Sequence, residues 1–336
     1  MSSAEIEAAR VLLARLGITP QQLLQAHDAL PVDVPTFAQY IPVVRTTVSA
    51  GASQAYSSYW NRITERWGPR HLDEPSPSEI EHFAMTIRTS TVTRRNARGG
   101  RSAAEHLIAA LRCIYRHAEN DGYLSPGTNP ALKVAKPRRL ASTRRAIPDS
   151  QLAEINHITA TTGNDPALDA LILRLHTETA CRRGGALALT PADLDPDQCL
   201  VRLAEKGGTV RWQPVSPTLM AHLQHHARAR EAPHNGQLLR YTNGRPITRR
   251  RYDHLWTRIG KHLPWVATQQ VSTHWLRHTT LTWVERNFGY ATARAYAGHS
   301  GSTNAGTTAT YVRASLPEIA AALAALTGEP HPLVDD

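Results

Sequence analysis

Between residues 125 and 149 the chain reads SPGTNPALKVAKPRRLASTRRAIPD, rich in proline and cations and lacking any helical or strand period. Proline removes backbone donors and pushes the residue before it out of the helical region, so no continuous core is expected through this stretch. It divides the 336 residues into two parts, each long enough to bury a core of its own. It carries Lys133, Lys136, Arg138, Arg139, Arg144 and Arg145, with no acid between Asp121 and Asp149. A solvated tether usually mixes its charges. Cations alone suit a linker that crosses a phosphate backbone.

The part before the linker reads as helical. Residues 2 to 30 suggest two short helices, one opened by Ser2xxGlu5 and closed near Gly17, the other begun at Thr19-Pro20. From about residue 34 the pattern strengthens: Tyr56, Trp60, Ile63 and Trp67 recur at helical spacing, and Ser76xxGlu79 opens a helix with Ile80, Phe83 and Ile87. Then comes the basic run TRRNARGGR, holding Arg94, Arg95, Arg98 and Arg101. After it, Ser102xxGlu105 reads as the cap of a long helix with the stripe Leu107, Leu111, Ile114 and Ala118.

After the linker, a helix is expected from Pro148-Asp149-Ser150, then a second ending in TETACRRGGALALTPADLD. Two β-type runs flank Gly207-Gly208, which is a hairpin pattern. Helices follow over 217 to 230, 248 to 262, 273 to 287 and 290 to 298, and an alanine-rich one starts at Ser315. Its stripe of Ile319, Ala322, Leu323 and Leu326 fits either its own domain or a neighbouring copy.

Composition narrows the partners. With 38 Lys and Arg against 28 Asp and Glu, the net charge is +10 and the chain favours a polyanion. No run of eighteen apolar residues exists, and the N-terminal sequence lacks the pattern of a secretory signal, so the expected address is cytoplasmic, away from membranes. Cys113, Cys181 and Cys199 form no CxxC pair and read as reduced, buried thiols. No HxxxH pair among the 17 histidines has a plausible third ligand, and Asp193, Asp195 and Asp197 read as solvated loop acids. Neither a metal nor another cofactor is expected.

One region concentrates chemistry. Residues 272 to 315 hold His274, Arg277, His278, His299 and Tyr311. Breaking a phosphodiester without a metal requires a nucleophile, cations around the non-bridging oxygens, and an acid for the leaving alkoxide. Arginine suits the second role because its planar fork stays charged and donates two hydrogen bonds to a phosphate. Arg182 stands at an expected helix start, and Arg277 lies one turn from His274. Lys206 precedes the hairpin turn, and Tyr311 follows SGSTNAG and Thr307-Thr308. Each residue taken alone is more often structural: a paired arginine, a packed histidine, a core tyrosine.

In this order the residues resemble the tyrosine recombinase, or phage integrase, family. Thr179, Arg182 and Leu189 match its T-G-x-R-xx-E-L-xx-L segment, and Lys206 its hairpin lysine. His274 and Arg277 match H-x-x-R, Gly298-His299 the G-H pair, and Thr307, Thr308 and Tyr311 the T-T-x-x-Y box. The resemblance implies a mainly α fold with a small β-hairpin or sheet, arranged as a two-domain clamp. Its parts would be an N-terminal helical extension over 1–33, a helical core-binding (SAM-like) domain over 34–128, a basic linker over 129–148, a catalytic domain over 149–328 and a tail over 329–336.

It further implies a site-specific recombinase in which Tyr311 attacks the scissile phosphate, leaving a 3′-phosphotyrosyl link and a free 5′-hydroxyl. Arg182, Arg277 and His299 would hold the phosphoryl oxygens, Lys206 protonate the leaving oxygen, and His274 assist proton movement at the tyrosine. The implied partner is double-stranded DNA with inverted half-sites, bound by a monomer that assembles into a homotetramer on synapsed DNA. Two departures stand out: Gly185 replaces the family's usual acid, and the interval from His299 to Tyr311 is about three residues longer than common. Competing readings are a type IB-like topoisomerase or telomere resolvase, a DNA-binding protein with a decayed site, and a metal-dependent nuclease or transposase.

Overall fold

The computed structural model describes residues 3–17, 19, 33–90, 100–138, 144–205, 208–298 and 314–334. The chain divides into two compact units, Met1–Ala141 and Ser142–Asp336. Helix α1 (Ser3–Arg15) runs to Gly17, where φ is +67°, while the second helix expected in this region lies almost wholly outside the described residues.

The first unit is built from α2 (Phe37–Thr47), α3 (Ala50–Trp67), α4 (Pro77–Ser90) and α5 (Arg101–Asn120). Two of these helices begin with reciprocal caps. Thr36 and Gln39 exchange side-chain and backbone bonds at α2, and Ser76 and Glu79 do so ahead of α4, satisfying donors a helix start leaves open. The helical stripes meet as one core in which Phe37, Trp60, Ile63, Ile80, Leu107 and Ile114 are fully buried. Aromatic edges fill it, with Trp67 and Phe83 centroids 5.0 Å apart.

Helix α5 departs from expectation. It starts at Arg101 behind Gly100, so Ser102 sits inside the helix instead of capping it. Gly100 has φ +70°, and a Cβ there would fall 2.2 Å from the Arg88 carbonyl oxygen. Only glycine allows that approach. The linker's ends also belong to cores. Pro130–Leu132 forms a 3-10 turn, Ala131 and Val134 are buried in the first unit, and Arg112 clamps their carbonyls at 2.9 and 2.8 Å. Ile147 is buried in the second unit.

The second unit packs α6 (Asp149–Thr161), α7 (Pro166–Thr179), the short α8 (Arg183–Ala188), α9 (Pro217–Ala229), α10 (Arg249–His262), α11 (Pro264–Gln269), α12 (Thr273–Tyr296) and α13 (Leu316–Thr327) around a small antiparallel sheet. The expected hairpin is present as β2 (Leu200–Glu205) and β3 (Thr209–Pro214), with Leu203 opposite Arg211 and Glu205 opposite Thr209. A third strand, β1 (Leu194–Asp195), adds to its edge. Two residues leave no alternation to read. Asp193 is buried, not solvated: it caps Thr190 at 3.0 Å and pairs with Arg202 at 2.7 Å.

Helix α12 is interrupted at Gly289, whose φ of 81° and ψ of 170° separate the two helices the sequence suggests. α13 turns its stripe inward on its own unit, packing Ile319, Ala322 and Leu323 against Val284, Tyr296 and Ala180. The segment after it is held too: Glu329 pairs with Arg174 at 2.8 Å, and buried His331 contacts the Cys199 carbonyl. α7 and α10 are joined by a fully buried carboxylate, Asp169, between Arg251 and Arg258, each 2.7 Å away.

Candidate active site

The site begins where α7 ends. Ala180 takes the left-handed conformation (φ 49°), closing α7 with a bond from its N–H to the His176 carbonyl at 3.0 Å. The chain then extends through Arg182, which caps α8 with φ −77° and ψ 151°. Arg182 is partly open to solvent, its side chain 37% exposed. Its neighbour Arg183 goes elsewhere, lying 3.8 Å from Asp253 and over the Tyr252 ring. Arg182 and Arg183 thus point to different partners.

Arg277 comes from the second turn of α12, whose start is fixed by a 2.8 Å bond from the Trp256 indole to Thr273. Its guanidinium is buried and donates to the carbonyls of Ala180 and Ala297, the latter at 2.7 Å. Ala180's unusual backbone thus does two things: it ends α7 and presents an acceptor to Arg277. Burial pushes Arg277 down to about 10, and the positive charges of Arg182 and Arg211 act in the same direction. It remains a cation at neutral pH.

His274, one turn earlier, is on the exposed side. Partial burial first, then the charges of Arg144, Arg277, His278 and Arg182, hold its imidazole below the usual histidine range. A neutral imidazole at pH 7 can accept a proton. Arg144, from the linker, is part of this field and is exposed along with Arg145.

Two members of the site were not singled out in the sequence. Arg211 on β3 points inward, with Nη2 3.2 Å from the Thr179 carbonyl, while its Nε is buried without a hydrogen-bond partner among the described residues. Burial lowers its pKa. Gly298 makes room for it: φ is +65°, and a Cβ there would lie 2.5 Å from the Arg211 Cδ. The other is Glu205, whose carboxylate meets Arg182 at 2.7 Å. Period-two alternation is the signal that finds them: Val201, Leu203 and Glu205 share one face of β2, Arg211 and Gln213 one face of β3.

Arg182, Arg211 and Arg277 thus gather around one carboxylate, which leaves an excess of positive charge suited to an anion. Lys206, His299 and Tyr311 lie outside the described residues, as do Arg94, Arg95, Arg98 and Arg139. Arg101 is the first residue of α5, and Lys133, Lys136 and Arg138 are exposed on the first unit. Among the described residues there is no group of three or more His, Cys, Asp or Glu able to hold a metal, and no helix long and apolar enough to cross a membrane.

Residues 145–316 match the Phage integrase family, just over half of the chain. A curated relative, tyrosine recombinase XerC of Agrobacterium fabrum, is 30% identical over 125 residues, covering 36% of this chain. The alignment spans only 39% of that relative's length. Among solved structures, a lambda integrase tetramer bound to a Holliday junction superposes with a TM-score of 0.60 at 13% identity, covering 93% of this chain and 86% of the other. The Tn1549 transposon integrase in complex with a circular intermediate DNA gives 0.62 at 16% identity, covering 83% and 95%. These structures bear on the fold: mainly helical, with a small antiparallel sheet.

Proposed function

We propose, from the premise that this chain belongs to the phage integrase family, that it is a site-specific DNA strand transferase cutting and rejoining duplexes through a phosphotyrosyl intermediate. The observation that carries the reading is the buried guanidinium of Arg277 within the field of Arg182 and Arg211. A preorganised cation cluster stabilises the charge that builds up on a phosphoryl group under attack.

In this reading Tyr311 attacks the scissile phosphorus while Arg182 and Arg277 hold the non-bridging oxygens and His299 joins them. The tyrosine's proton passes toward the neutral His274. Lys206 gives a proton to the departing 5′-oxygen. Two arginines and a lysine supply the positive charge, and the phosphotyrosyl link conserves the energy of the broken bond, so the proposed reaction needs neither a metal nor ATP. A 5′-hydroxyl from another strand reverses the attack and completes the exchange.

The proposed partner is duplex DNA with inverted half-sites, and the working assembly a homotetramer on paired duplexes, formed from monomers. The lambda integrase tetramer on a Holliday junction supports that assembly for a chain of this fold. The proposed address is cytoplasmic. The two units, 34–128 with its basic run and 149–328 with the site, are assigned to DNA grip and chemistry, with 1–33, the linker 129–148 and the tail 329–336 as accessories.

The test selects bound duplexes from a random pool, then offers the selected half-site as a nicked suicide duplex in EDTA. A covalent complex that survives denaturation, and is lost in Tyr311→Phe while binding persists, is expected. An adduct retained in Tyr311→Phe, or cleavage that requires added Mg²⁺, would sink the mechanism.

A further inference from the structure

The inward face of β2 runs apolar, apolar, acidic: Val201, Leu203, Glu205. The Glu205 side chain has no exposure to solvent. A carboxylate taken out of water costs several kcal/mol unless it is paired and hydrogen-bonded, so an acid here needs an occupation. It has one. Oε1 accepts the Arg182 backbone N–H at 2.6 Å, and Oε2 accepts Arg182 Nη1 at 2.7 Å.

The space that receives Glu205 exists because residue 185 has no side chain. A Cβ added to Gly185 would lie 3.1 Å from the Glu205 Cγ and 3.4 Å from its Oε1. A side chain on α8 at 185 and the acid on β2 therefore compete for one volume. Residue 185 is three positions after Arg182, within one turn of it, so a carboxylate on either element can reach the same guanidinium. Here β2 supplies it.

We propose that Glu205 is the positioning residue for Arg182, a carboxylate supplied from the sheet into the room that Gly185 leaves. Resting on the function proposed above, this gives Glu205 two linked effects. It holds both the backbone and the side chain of Arg182. The hydrogen bonds it accepts from the guanidinium use Nη1 alone, leaving Nε and Nη2 for a phosphate. The loss of an acid at 185 is then a relocation and not a defect.

The experiment moves the carboxylate back. Adduct formation on the selected suicide duplex is measured at saturation, beside half-site affinity and melting temperature, for Glu205→Ala, Glu205→Gln, Gly185→Glu and the double change Gly185→Glu with Glu205→Ala. Glu205→Ala is expected to slow cleavage by about 10- to 100-fold, the usual worth of a residue that orients a ligand-holding group, with affinity nearly unchanged. Glu205→Gln, which keeps the shape, should be slowed as well. Gly185→Glu alone should be impaired by crowding two acids, and the double change should recover most of the lost rate. A double variant that folds yet cleaves no faster than Glu205→Ala, or a Glu205→Gln protein at full rate, overturns the inference. If the unaltered protein forms no adduct, the proposed function falls instead; the inference is still decided in the melting temperature, where the double change must regain what Glu205→Ala loses.

Discussion

His176 is wholly buried on α7, its Nδ1 near the Cys181 carbonyl at 3.0 Å and its Nε2 near the Tyr252 hydroxyl at 3.1 Å. Burial pushes its pKa down to about 4, so the folded protein keeps it neutral where the unfolded chain would protonate it. The unfolded state then binds more protons, and stability falls as pH drops from about 6.5 toward 4. The loss attributable to this residue is about 3 kcal/mol, from 1.36 kcal/mol per pKa unit. Urea titrations at pH 7 and 4.5 should show it, and His176→Gln should flatten the difference; an equal loss in that variant would place the sensitivity elsewhere, for instance at His226, also pushed to about 4. The Cys181 carbonyl that His176 contacts belongs to the residue directly before Arg182, so a residue with no chemistry of its own shapes the site's entry strand.

At the scale of elements, α13 matters most. It could have packed on a neighbouring copy, but it buries Ile319, Ala322 and Leu323 against α12 and Ala180. Ala180's carbonyl accepts from Arg277, so the C-terminal helix props a cation of the site from behind. Leu323→Ala should cost about 2 to 5 kcal/mol, the range for a leucine truncated in a packed core, measured by urea unfolding of the second unit. A cost near zero would mean that α13 detaches readily. The buried Asp169 that fastens α7 to α10 gives a second test of packing: Asp169→Ala leaves Arg251 and Arg258 without their partner and should cost about 3 to 5 kcal/mol. A smaller loss would show that water reaches the pair.

Across the whole molecule, the two units have separate cores, and the cations between them are exposed where described. Residues 33–138 expressed alone should therefore melt cooperatively as a helical protein, since Ala131 and Val134 are kept with their core; a non-cooperative melt would contradict a self-sufficient unit. A net charge of +10 predicts steep salt dependence of duplex binding. Each phosphate contact contributes a slope of about −0.9 in log K against log salt, so replacing Arg138, Arg139, Arg144 and Arg145 by alanine should flatten the slope by up to about four such contributions without altering the preferred sequence. An unchanged slope would make the segment a plain tether.

What sequence alone determined here is what local periodicity and motif order carry. The helical stripes from Trp60 to Ile114, the hairpin around Gly208, the break at Gly289 and the choice of Arg182 and Arg277 as candidates, which the fold brings within one another's field, are all properties of near neighbours along the chain or of an ordered set of boxes. Tertiary structure decided the rest. Arg211 and Glu205 are unremarkable in a linear reading, because a strand's inward face acquires chemical meaning only when another element, here α8 or the end of α12, supplies the opposite charge or the empty volume. Gly185 read as a missing acid for the same reason. The carboxylate that serves Arg182 is 23 residues away in sequence and 2.7 Å away in space, and hydrogen bonds are formed across space, without regard to sequence order.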